Sequence, residues 1–274
     1  MTSDQERLAG YVEIWRGATD DFVRLARGLD AADLARPTDL PGWDVHAVVA
    51  HIAHLESSLA GNPQEQVEVP EAPHVKGPLN IFTEGGTIAR ASRRLDELID
   101  EIESSVAQRY AALRADPPTD AKAPADGFAA LLGWSWDTLL HNRPVDVWMH
   151  EQDIRRAVGR LGGLDTPAAG HTAGVYAASL PYVVGKKVGA APGTTVLLDV
   201  ADHHPTRIAT TVGDNGRAVP VDAGSAVPDV TLAMDFPTWM ILAGGRRAPR
   251  DVSVEVTGDQ QLGQRVLEQL AVTL

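Results

Sequence analysis

Residues 145–153, VDVWMHEQD, pose the question on which the fold turns, because acidic and imidazole groups occupy the arc of a helix that should be apolar. A helix turns about 100° per residue. On that projection Glu151, Gln152, Arg155 and Arg156 share one arc, which reads as the solvent face. Met149 flanks the opposite arc on one side, and Val147, Ile154 and Val158 flank it on the other. Asp146, His150 and Asp153 fall between them, with Ala157 alongside. Charges facing a core are costly unless they are paired, neutralised or bound to a metal.

Asp146 and His150 are four apart, so their side chains lie one turn apart on one face. A carboxylate and an imidazole so placed can bind one divalent cation. A further ligand has to come from another helix, and HAVVAHIAH, residues 46–54, offers three histidines. The apolar stripe there is Val45, Val48, Val49, Ile52, Leu55 and Leu59. His51 borders that stripe, His54 lies further round as a fourth ligand or a surface residue, and His46 is near the far side. His51, Asp146 and His150 are therefore the candidate metal ligands, with Asp153 able to orient an imidazole. Zinc accepts two histidines and a carboxylate while keeping a position open; Ni2+ and Fe2+ suit the same set. A metal-free alternative stays open. A salt bridge from Arg143 to Asp146, or from another arginine to Asp153, would also satisfy these acids.

Working outward, helical spacing predicts helices over 3–28, 43–60 and 87–115, and a fourth carrying the opening motif, with Pro144 in its first turn and Gly159 at its end. Loops fill the gaps: the proline-rich residues 64–78, which include His74, and residues 116–127. Four long helices joined by loops imply an antiparallel bundle, whose sites form between facing helices. After residue 162 the texture changes. A helix from DTPAAGHT to about Lys187 is followed by β-rich runs TTVLLDV, TRIATTV, RAVPVDA and DVTLAM, a short helix DFPTWMILAGG, a strand DVSVEV and a closing helix. GDNG, residues 213–216, is a hairpin turn. The expected fold is α+β in two domains: a four-helix bundle over 1–162 and a small α+β domain with a mainly antiparallel sheet over 163–274. His203 and His204 read as a solvated turn.

The chain has 274 residues, 44% hydrophobic and 22% charged, enough for two modest domains. A net charge of −13 argues against a nucleic-acid binder or a protein drawn to anionic membranes. The absence of cysteine excludes disulfides, thiolate metal ligands and a cysteine nucleophile. Any thiol chemistry must borrow its sulfur from a small molecule. The N-terminal residues lack a secretory pattern, and no apolar run reaches the roughly 18 residues of a membrane span. A cytoplasmic location is expected.

DLPGWDVHAVVAHIAHLE (39–56) followed by RPVDVWMHEQDIRRAVGR (143–160) resembles the mycothiol-dependent maleylpyruvate isomerase family. The resemblance implies a DinB-like bundle joined to a small α+β domain. Residues 228–267 are similar to sterol-carrier-protein-like domains. By resemblance, the metal ligands are a histidine on the second helix and a Glu and a His four apart on the fourth, mapping onto His51, Asp146 and His150. This chain has Asp where the family has Glu. The resemblance also implies an arginine meeting an anionic substrate, with Arg246 the closest match and Arg247 the alternative. The chemistry so implied is a divalent metal, Zn2+ first, holding the sulfur of mycothiol for isomerisation of, or S-transfer to, an electrophilic small acid, by a monomer or homodimer. Trp134, Trp136 and Trp148 are candidates for pocket or core. A different class of function remains open: a non-catalytic small-molecule carrier or sensor whose bundle metal site is vestigial.

Overall fold

The computed structural model describes residues 3–72 and 75–273, so His74 lies outside the described residues. The chain divides into two compact units, Met1–Gly163 and Leu164–Leu274. The first holds α1 (Asp4–Ala26), α2 (Ala31–Leu34), α3 (Val45–Leu59), α4 (Pro78–Ala89), α5 (Leu95–Ala115), α6 (Gly127–Leu131) and α7 (Trp136–Val158). Helix α1 packs on α5 and α7, and α3 packs on the same two, which closes the bundle; α2, α4 and α6 lie against α3.

Local sequence sets these helices. Ser3 and Glu6 form a reciprocal capping box at the start of α1, satisfying amides that have no helical partner. Asp44 caps α3 through the Ala47 amide, and Ser135 caps α7 through the Thr138 amide. Gly159 ends α7 at φ 69°, where a side chain would be strained. Helix α1 buries Leu8, Val12, Trp15, Phe22 and Ala26 as a single stripe. Helix α3 is different: His51, His54, Glu56 and Ser57 are buried along with its apolar residues, so it lies at the centre of the bundle.

Three expectations are corrected. The helix expected over 87–115 is two, because RASRR (90–94) makes a turn and Arg94 with Glu97 starts α5 afresh. Pro144 lies well inside α7, because Ser135 starts the helix earlier; a proline there forfeits the bond to the Leu140 carbonyl. Glu151 and Gln152 are buried instead of facing solvent, at 1% and 6% exposure. The chain beyond Gly159 folds back over them. Gln152 Nε2 donates to the Gly162 carbonyl at 3.1 Å, Trp148 Nε1 donates to that of Gly163 at 2.8 Å, and Glu151 pairs with Arg155 at 2.7 Å.

The second unit opens with α8 (Pro167–Tyr182), prolonged by a π-helical turn over Val183–Lys187. Strands β1 (Thr195–Val200), β2 (Thr206–Val212), β3 (Ala218–Val221), β4 (Val230–Met234) and β5 (Glu255–Gly258) follow, with α9 (Phe236–Ala243) and α10 (Gln260–Glu268). The sheet order is β3-β2-β1-β4-β5. Only the β1–β4 pair is parallel, with Val196 opposite Val230; the others are antiparallel. Central β1 buries Val196, Leu197 and Leu198 in succession, as a strand covered on both faces does. GDNG closes the β2–β3 hairpin through a bond from the Gly213 amide to the Arg217 carbonyl, 2.8 Å. The fold is thus α+β, a helical bundle followed by a mainly antiparallel sheet with helices. Among the described residues no helix is long and apolar enough to cross a membrane.

Gly86 of α4 lies against the ring of His54 on α3, and a Cβ at residue 86 would come within 2.0 Å of that ring's Cγ. The ring is buried and cannot withdraw. Gly86→Ala is expected to destabilise the protein by about 1–3 kcal/mol, the usual cost of overpacking, read from the midpoint of urea unfolding. An unchanged midpoint would show that α4 moves freely against α3.

Candidate metal centre

Packing of α3 against α7 brings His51, Asp146 and His150 together, with one ligand atom from each lying within 4.8 Å of the others. His51 Nε2 is 3.8 Å from Asp146 Oδ2, and His150 Nε2 is 3.6 Å from Asp146 Oδ1. The imidazole centroids are 4.7 Å apart, set edge to face. Both histidines are buried, whereas the Asp146 side chain keeps 31% of its surface exposed.

The donor set fits a divalent cation on an observation independent of spacing. Both ring nitrogens of His51 are buried, and neither has a hydrogen-bond partner among the described residues. Leaving such a group unsatisfied costs about 1–3 kcal/mol, and a cation at Nε2 would remove part of that cost. His150 is already oriented: its Nδ1 lies 3.1 Å from Asp153 Oδ2, which leaves Nε2 turned toward Asp146. Asp153 is itself fully buried and bonded to Arg156, whose Nε donates to Asp39 Oδ2 at 2.8 Å. Metal-binding histidines are commonly held in this way.

The two salt bridges that could have stood in for a metal are both present. Arg143 Nη1 donates to Asp146 Oδ2 at 2.9 Å, and Arg156 pairs with Asp153. They satisfy the carboxylates and leave His51 unsatisfied. Arg143 also donates from Nη2 to Glu56 Oε1 at 2.5 Å, and the same oxygen accepts from Trp15 Nε1 at 3.1 Å.

These contacts set the protonation states. Burial holds the His51 imidazole down at about 4, so it is neutral at pH 7 and available as a donor. For Asp146, burial works against the charge, but Arg143 and His150 outweigh it and hold the carboxyl well below its ordinary range. Burial likewise opposes protonation of His150, yet Asp146 and Asp153 raise it. A cation would displace that proton, since a ligating imidazole must be neutral.

The sequence reading missed Trp43 and Glu56. The Trp43 ring lies over the site, with its centroid 4.9 Å from that of His51 and 6.1 Å from that of His150. Its Nε1 donates to Glu84 of α4 at 2.8 Å. PGW before a histidine-rich helix was the available signal. His54, left as a fourth ligand or a surface residue, is neither: it is buried with Nδ1 3.0 Å from Gln64 Oε1 and its ring against Phe82. It is outside the metal-sized cluster. Trp148 is fully buried core, and Trp134 and Trp136 pack beside Leu59 and Leu139. In the second unit, Arg246 follows α9 and donates from Nη1 to the Gly244 carbonyl at 2.7 Å. It lines a crevice of about 600 Å³ with Arg247, Arg250, Gln264 and Glu268. His203 lies exposed in its turn, as expected, bonded to Asp165 at 2.9 Å, and the half-buried His204 packs on Phe236.

Residues 15–155, just over half of the chain, match the mycothiol maleylpyruvate isomerase N-terminal domain. Two solved structures share the fold. One is a crystal structure of the mycothiol-dependent maleylpyruvate isomerase, at a TM-score of 0.56 and 19% identity over 94% of this chain and 96% of that one. The other is a histidine-to-alanine mutant of that enzyme, at a TM-score of 0.57 with the same identity and coverage. No curated protein sequence matches.

Burial, and after it Arg90, also lowers His54 to about 4. The unfolded chain takes up a proton near 6.5, before the native state does, so stability is full above that pH and falls as pH drops toward 4. A shift of this size corresponds to up to about 3 kcal/mol. In metal-free protein, His54→Gln should flatten the fall in stability between pH 7 and 4.5, measured by urea unfolding. An unaltered slope would exclude His54 as a source.

Proposed function

We propose a function for this chain from its place in the mycothiol maleylpyruvate isomerase family, to which it belongs: a metal-dependent enzyme that uses a small-molecule thiol, mycothiol, to isomerise or S-modify an electrophilic small acid. The observation that carries this reading is the buried, unsatisfied His51 imidazole beside Asp146 and His150. Those three residues would hold the cation, Zn2+ first, with Ni2+ or Fe2+ as alternatives. When bound, such a cation supplies a site for the thiol sulfur and stabilises it as thiolate at neutral pH.

The chain's own residues would do the rest. Asp146 supplies one negative charge, and the neutral His51 imidazole supplies a donor without a proton to displace. Asp153 fixes the tautomer and aim of His150 through Nδ1. Trp43 covers the two imidazoles and limits water beside them. Arg246, in its arginine-lined crevice, is the candidate contact for a substrate carboxylate, since a guanidinium fork matches that group.

The test is metal content of the purified protein together with mycothiol-dependent turnover of maleylpyruvate and related acids. About one transition metal per chain is expected. His51→Ala and Asp146→Ala should each lower metal affinity by more than the about 10–100-fold that loss of a ligand-orienting partner costs. Wild-type protein that takes up no metal when supplied would refute the enzyme reading and favour a carrier or sensor with a vestigial site.

A further inference from the structure

We propose that Glu56 is the buried counter-charge that lets Arg143 hold Asp146 without disabling it as a metal ligand, so that metal affinity depends on a residue outside the ligand set. This rests on the reading of His51, Asp146 and His150 as a cation site.

The geometry is a hydrogen-bonded chain across three helices. Trp15 of α1 donates to Glu56 of α3, Glu56 accepts from Arg143 of α7, and Arg143 donates to Asp146 one turn further along α7. Glu56 is 0% exposed and Arg143 5%, so little solvent screens either charge. A guanidinium bonded directly to a ligand carboxylate would cancel its charge and repel an incoming cation. Glu56 offsets that guanidinium, and the three groups together keep one negative charge, that of a lone carboxylate. Arg143 meanwhile occupies Oδ2 and leaves Oδ1 turned toward His150. Buried ion pairs contribute little to stability compared with apolar residues of similar volume, so fold stability alone gives no reason for this one. Glu56 and Arg143 act through Asp146 and are positioning residues.

The experiment measures zinc affinity of the full chain by competition with a chromogenic chelator, across wild type, Glu56→Gln, Arg143→Met and the double variant. Glu56→Gln leaves Arg143 facing the site uncompensated and is expected to weaken zinc binding at least about tenfold. Arg143→Met removes the guanidinium, and with it the group through which Glu56 acts on Asp146. That variant and the double variant therefore retain one negative charge at Asp146 and should both bind zinc more tightly than Glu56→Gln. A purely structural role would lower unfolding midpoints without this order of affinities. The proposal is overturned if Glu56→Gln binds zinc like wild type, or if the double variant binds no better than Glu56→Gln. Should Glu56→Gln fail to fold, the comparison is made in the Arg143→Met background, where adding Glu56→Gln should change affinity less than about threefold and a larger loss overturns it. Wild-type protein that binds no zinc would refute the metal reading itself; tight wild-type binding with an unmoved Glu56→Gln variant refutes only this inference.

Discussion

The fork of Arg143 between Glu56 and Asp146 is the constraint on which the candidate site depends, because it ties the ligand Asp146 of α7 to α3. A guanidinium at this depth is tolerable only because two carboxylates face it; burial works against its charge, and Glu56 and Asp146 hold it protonated. Removing one partner of such a pair costs about 3–5 kcal/mol, because the other is left buried and uncompensated. The requirement fixes α3 against α7 at the level of Glu56 and Arg143. It also places His51, on the same helix as Glu56, opposite Asp146 and His150. Packing and site geometry therefore have a common origin.

Around that fork, further buried acids and arginines are paired. Asp153 serves His150 and Arg156 together. Arg90 of the turn after α4 bonds Glu101 and Gln64, next to the buried His54. His51 stands apart because its neighbours are an acid held by an arginine and a second imidazole held by another acid. Of the three candidate ligands, His51 is the one with neither ring nitrogen hydrogen-bonded among the described residues.

Much of this was legible in the sequence, and the failures share one cause. Projection onto a helix singled out Asp146 and His150, which break an otherwise apolar arc, and His51, which borders one. It failed for Glu56, Glu151 and Gln152, because α3 and the second half of α7 are buried on nearly every side. Where a helix has no solvent face, a polar residue on the expected outer arc gives no signal of burial. Pro144 misled for a related reason: proline reads as a helix start, whereas the capping chemistry of Ser135 and Thr138 lies two turns earlier. In the second unit the strands were readable from β-branched runs and the GDNG turn. The parallel pairing of β1 with β4 depends on a long-range partner choice that no local pattern encodes.

The most direct test of the central claim is anomalous diffraction from crystals grown with zinc and recorded at the zinc absorption edge. One peak per chain is expected, about 2.0–2.2 Å from a ring nitrogen of His51, from His150 Nε2 and from a carboxylate oxygen of Asp146, with Arg143 still bonded to Glu56. No peak among these residues at saturating zinc, or a peak whose ligands exclude His51, would contradict it.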